Sequence, residues 1–191
     1  MQDASRGLAI CAASPLRYGG RGMHRGILIA ACTAGLAACS MLRSPDERFA
    51  YDVQQGMRAM QERQGEAAEQ WFEDAHAASQ AFGPHDPRPA QAINMIAWSY
   101  QARGQFVWAL VFHAQALDAQ REALGPQHPE VARILVTRAE THADMGNFHD
   151  AAADLAEAQA IFAAALGPEA AETKATGGYL EQVRRRERPS P

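Results

Sequence analysis

Cysteine is nearly absent from this chain. Its 191 residues hold three, at Cys11, Cys32 and Cys39, and none beyond. From residue 40 onward no disulfide can form, so the fold there must be held by packing alone. Lysine is scarcer still, with Lys174 the single example. No Ser, Cys or Lys stands in a nucleophile arrangement, and neither a Gly-rich phosphate loop nor a His-Glu-x-x-His pair of metal ligands occurs. No catalytic residue, metal or cofactor is expected. Long apolar runs are missing too. The longest, Ile27–Ala38, has about a dozen residues, short of the roughly 20 that span a bilayer. Basic charge is also short. Setting aside Arg6, Arg17, Arg21, Arg25 and Asp3 leaves 14 of 18 basic and 21 of 22 acidic residues from Cys39 on, a charge of −7. That balance argues against nucleic acid as a partner, because phosphate contacts need positive surface.

What the chain does have is a phrase said three times. Gly83-Pro84-His85-Asp86-Pro87 returns as Gly125-Pro126-Gln127-His128-Pro129 and, eroded, as Gly167-Pro168-Glu169-Ala170-Ala171, each 42 residues on. Gly104-Gln105-Phe106 returns as Gly146-Asn147-Phe148 at the same interval of 42. Two independent markers on one period indicate a stacked-repeat architecture, which usually binds partners rather than catalyses.

The runs between the markers are rich in Ala, Leu, Gln, Met and Arg, all good helix formers, with apolar residues at helical spacing. Each unit therefore reads as two helices around a Gly turn. The Gly-Pro phrase reads as a stop and a start: Gly83 and Gly125 as left-handed helix ends, Asp86 as an N-cap, and Pro87 and Pro129 as first-turn residues. Small residues repeat where helices must cross: Gly56, Ala68 and Ala75, then Ala97, Ala109 and Ala116, then Ala139, Ala151 and Ala158.

This pattern resembles the tetratricopeptide repeat, with a small residue in the first helix and Ala-x-x-x-Phe in the second. Here the second element reads Ala68-x-x-x-Phe72, Ala109-x-x-x-His113 and Ala151-x-x-x-Leu155. The long period and the Leu124–Ala132 phrase look like the kinesin-light-chain subtype. The expected fold is all-α: an antiparallel helix-pair solenoid of three units, at about 49–81, 90–122 and 132–165 within 49–166. A capping helix over 168–187 and a tail over 188–191 follow. Gly177-Gly178 predicts a kink or break in that cap. Glu66, Glu69, Glu73 and Asp74 read as a solvated acidic face, and Arg184–Arg186 with Arg188 as a charged helix end.

The resemblance implies that the first helix of each unit lines a groove. The implied set is Gln91, Asn94, Trp98 and Gln101 in the second unit and Arg133, Thr137, Glu140 and Asp144 in the third. The partner implied is a protein or extended peptide. An Asn at position 94 would bond both the N–H and C=O of such a peptide, and Trp98 suits an anchor. In the first unit the corresponding face, Val53, Met57 and Met60, is apolar and open to self-association as a homodimer.

The leading segment adds an address. Met23-His24-Arg25, the apolar run and small residues before Cys39 read as a secretory signal over 23–38. Leu36-Ala37-Ala38-Cys39 resembles the bacterial lipoprotein box, which implies cleavage before Cys39, acylation of Cys39, and a tether over 39–48. Ser40, by the same resemblance, implies the periplasmic face of the outer membrane rather than the inner. Residues 1–22 have no place in this scheme and read as an upstream extension, with Met23 the expected start. Cys39→Ser should abolish anchoring, measured as lost palmitate incorporation and lost sedimentation with membranes; unchanged sedimentation would exclude the lipid anchor.

Overall fold

The computed structural model describes residues 43–187. The expected extension 1–22, signal 23–38, acylated Cys39 and tail 188–191 all lie outside the described residues. The first described helix, α1, runs Pro45–Gln61 and starts inside the stretch read as tether. Its start has a local cause. Ser44 Oγ accepts from the Glu47 N–H at 3.3 Å, and Glu47 Oε2 accepts from the Ser44 N–H at 2.9 Å. This reciprocal capping satisfies two N–H groups that a helix end otherwise strands, and Pro45 is preset for the first turn.

Six helices follow among the described residues, and no strand: α2 Gly65–Ser79, α3 Arg88–Ala102, α4 Phe106–Leu124, α5 Pro129–Asp144, α6 Phe148–Leu166 and α7 Ala171–Glu187. Each packs mainly on its neighbours in sequence, and α1 also touches α3. The fold is an all-α helical repeat in which each unit leans on the next.

Glycine punctuates where the 42-residue beat placed it. Gly104 and Gly146 turn the second and third units at φ 72° and 80°, and Gly125 and Gly167 end α4 and α6 at φ 86° and 93°. These left-handed conformations carry little penalty without a Cβ. The first unit departs. Arg63 takes the turn at φ 60°, a conformation that costs an L residue roughly 1–2 kcal/mol. Gly83 is not left-handed: α2 stops four residues earlier, and short turn bonds Ala81 N–H to Ala78 O and Phe82 N–H to Ser79 O finish it. Asp86 is likewise displaced from the cap. Pro87 occupies the N-cap, while Asp86 accepts from the Arg88 N–H at 2.9 Å and pairs with the Arg88 guanidinium at 2.7 Å. Arg88 also covers the Phe82 ring at 3.3 Å and pairs with Asp46, which draws the loop towards α1. His128 does serve as N-cap of α5, its Nδ1 accepting from the Glu130 N–H at 3.2 Å.

The core is a series of layers. Ala59, Ala68, Phe72 and Ile96 make the first; Leu117, Val131, Leu135, Ile161 and Phe162 belong to the second; Ala139, Ala151, Leu155, Leu180 and Val183 belong to the third. All nine small crossing positions are buried. The capping helix α7 is continuous, so the expected break at Gly177-Gly178 does not occur. A Cβ on Gly177 would sit 2.5 Å from Gln159 Nε2, so the bare backbone lets α7 lie against α6. That contact, with Leu180 and Val183 buried, outweighs a helix-propensity loss of about 1–2 kcal/mol.

Two glycine substitutions separate packing from propensity. Gly56→Ala puts a Cβ 2.3 Å from the buried Phe72 ring and should cost about 1–3 kcal/mol. Gly178→Ala meets open space in α7 and should stabilise by about 0.5–1 kcal/mol. Urea unfolding of both variants checks the pair; equal effects would contradict the close α1–α2 crossing.

Candidate functional site

A hollow of about 230 Å³ opens between α3, α4 and α5. Helical spacing on α3 aligns Gln91, Asn94, Met95 and Trp98, and on α5 it aligns Glu130, Arg133, Ile134 and Thr137. Five of the eight predicted groove residues thus share one cavity: Gln91, Asn94, Trp98, Arg133 and Thr137. The other three lie towards the α5 C-terminus. Gln101 Nε2 donates to Asp144 Oδ2 at 3.0 Å, bridging α3 to α5. Glu140 keeps solvent access, yet crowding by protein atoms and then the Asp144 carboxylate raise it above the usual carboxylate range. On the first unit's face Met60 packs against the first core layer, while Met57 stays exposed.

Asn94 is held from behind. Its Oδ1 lies 2.8 Å from His113 Nδ1 and accepts from Thr137 Oγ1 at 3.2 Å. With Nδ1–H donating to Asn94, His113 Nε2 accepts from the Thr141 hydroxyl at 3.2 Å. One end of the Asn94 amide is therefore committed inward, and one end is left for the groove. His113 takes the aromatic's place in the second-helix motif and is fully buried. Burial, then the Arg138 and His142 charges, push its pKa down to about 3. The ring is neutral at physiological pH, and as a neutral ring it can still make both bonds.

Charge at the rim is paired. Arg133 pairs with Glu130 and lies 3.9 Å from Glu172 on α7. Arg138 grips Asp154 with bonds of 2.8 and 2.6 Å, tying α5 to α6. His85 is an exposed loop residue, and His149 meets Glu187 at 3.0 Å. No three His, Cys, Asp or Glu side chains gather in metal-binding geometry among the described residues.

The arrangement has known counterparts. Residues 99–164 match the tetratricopeptide repeat family model. That span runs from the end of α3 to the end of α6. Among solved structures, nearly identical tetratricopeptide-like repeats of a putative kinesin light chain from Podosopora anserina align at TM-score 0.65 and 21% identity, covering 76% of this chain and 69% of that one. BtubC (BKLC) from P. vanneervenii aligns at TM-score 0.59 and 16% identity, covering 76% and 67%. PcrH, crystallised with the chaperone binding region of PopD, aligns at TM-score 0.54 and 21% identity, covering 75% and 96%. At these identities the likeness establishes the fold. No curated protein matches the chain in sequence.

In this helical-repeat frame, sequence reasoning missed Gln120. It comes from the second helix, α4, and stands behind the hollow, fully buried. A signal was present. Gln120 stands 42 residues before Phe162 and 41 after Ser79, at a position the repeat keeps inside.

The neutral His113 makes stability depend on pH. Its folded pKa lies below the ordinary value near 6.5, so the unfolded chain binds the proton first. Stability is fully present above about pH 6.5 and falls as pH drops towards 3, at up to about 1.4 kcal/mol per pH unit from this group. Urea midpoints between pH 4 and 7.5 should slope more steeply for the native chain than for His113→Gln. Parallel slopes would mean that His113 titrates normally.

Proposed function

We propose that this chain is a non-catalytic scaffold or assembly factor of the bacterial cell envelope. It is anchored by acylated Cys39 at the periplasmic face of the outer membrane and holds an extended protein segment between its first helices. The observation that carries the binding half is the convergence of Gln91, Asn94 and Trp98 from α3 with Arg133 and Thr137 from α5 on one hollow. The walls offer apolar surface from Met95, Trp98 and Ile134, and Asn94 offers one oriented amide end. That combination of apolar anchor and few fixed polar groups is typical of recognition pockets. The PcrH structure, of similar fold and holding a segment of PopD, supports the same use of the fold here. The anchor rests on the Leu36–Cys39 sequence alone.

A second reading, self-association through the first unit, is favoured by Met57, which stays 38% exposed. One experiment separates the two. A photo-crosslinking residue replaces Trp98 in the groove or Gln115 on the exposed face of α4, and cells are irradiated. Position 98 should give a discrete adduct with a different protein, and position 115 should not. Equal or absent labelling at both would remove the groove reading, and an adduct only with a second copy would favour self-association.

A further inference from the structure

Charge along the groove is uneven. On α3 the line Gln91, Asn94, Trp98 and Gln101 carries none. On α5, Arg133, Thr137, Glu140 and Asp144 follow at helical spacing and share one face. Arg133 opens this line beside the hollow and is answered by Glu130. Glu140 and Asp144 close the line and pair with no cation among the described residues. Asp144 takes one bond, from the neutral Gln101 amide at 3.0 Å, and Glu140 takes none among the described residues. Both residues are exposed, so a guest can reach them. The neighbouring cations are engaged elsewhere, Arg103 with Glu69 and Arg138 with Asp154. Burial, then the Glu140 and Asp144 charges, raise the Tyr179 phenol on α7, and Arg186 opposes them less. The negative potential therefore reaches the floor between α5 and α7. The uncompensated charge of the groove lies at one end, and the apolar hollow lies at the other.

We propose that the segment held in this groove puts an apolar side chain in the hollow and a Lys or Arg, two to four residues away, against Glu140 and Asp144. The inference rests on the groove reading above and adds the charge of the guest and its orientation. The spacing follows from geometry. The midpoint of the two carboxylates lies roughly 12 Å along α5 from Ile134, counting the helical rise per residue. In an extended chain, side chains on one face recur every second residue, about 6.6 Å apart. The long side chain of a Lys or Arg at the second or fourth position therefore meets the pair. Charge makes the selection. A carboxylate on the guest meets like charge, and a neutral polar group bonds but leaves the repulsion between Glu140 and Asp144 in place. An apolar group takes water from both carboxylates and returns nothing. A cation relieves the repulsion and complements the local potential. A guest turned end for end would bring its cation towards Arg133 instead.

The test is a random peptide library displayed on phage and selected against the full chain, against Glu140→Gln combined with Asp144→Asn, and against Trp98→Ala. The combined substitutions keep side-chain size, remove the charge and leave the buried layers untouched. The native chain should enrich peptides with a large apolar residue and a Lys or Arg two to four positions from it. Replacing that Lys or Arg by Gln in the synthetic peptide should weaken binding about fivefold, and added salt should erase most of the difference. The doubly substituted chain should keep the apolar preference and lose the basic one, and Trp98→Ala should lose both. Peptides without a basic residue, or a basic preference that survives in the doubly substituted chain, would overturn this inference; with binding still lost in Trp98→Ala, the groove reading would stand. Enrichment of no peptide, or of peptides that Trp98→Ala binds equally well, would overturn both.

Discussion

Two helices can approach only as far as the side chains between them allow. At Gly56, Ala97 and Ala139, and at their partners Ala68, Ala109 and Ala151, that limit is a methyl group or less. All six positions are buried, and the Phe72 ring lies where a Cβ on Gly56 would stand. The hollow inherits its walls from this spacing. Because α3 closes tightly on α4, and α5 on α6, the larger residues on the free sides of α3 and α5 face each other across the groove. Without disulfides beyond Cys39, nothing covalent assists; each layer is stabilised by the apolar area it removes from water.

Polar groups inside such layers are expensive, and three treatments of that expense coexist. Arg138 and Asp154 answer each other with a bidentate pair. His113 abandons its charge and bonds to Asn94 and Thr141 as a neutral ring, so the outer helix fixes an amide that faces the groove. Gln120 does neither. Its two ends have no hydrogen-bond partner among the described residues.

The repeat was legible because its signals are local and periodic. Gly104, Gly125, Gly146 and Gly167 stand where backbone geometry demands glycine, and 42-residue spacing exposes them without any knowledge of contacts. The groove residues were legible only in part. The resemblance to tetratricopeptide repeats grouped Gln91, Asn94, Trp98, Arg133 and Thr137, and these five line one hollow. The resemblance could not tell that Gln101 and Asp144 would bond each other, or that one end of Asn94 would turn inward. Where reading failed, a long-range contact had overridden a local preference. Arg88, recruited by Phe82 and Asp46, moved Asp86 off the cap, and Gln159 against Gly177 kept α7 whole.

The sequence by itself determined the number of units, their helix pairs and the acidic balance, since each follows from composition or from residues near in the chain. Only the tertiary structure decided which polar side chains are answered and which are not. His113 meets Asn94 and Thr141 across 19 and 28 residues, and the Gln120 amide meets no polar partner among the described residues. Hydrogen-bond satisfaction is a property of neighbours in space, and the stacking of units, not the order of residues, chooses those neighbours.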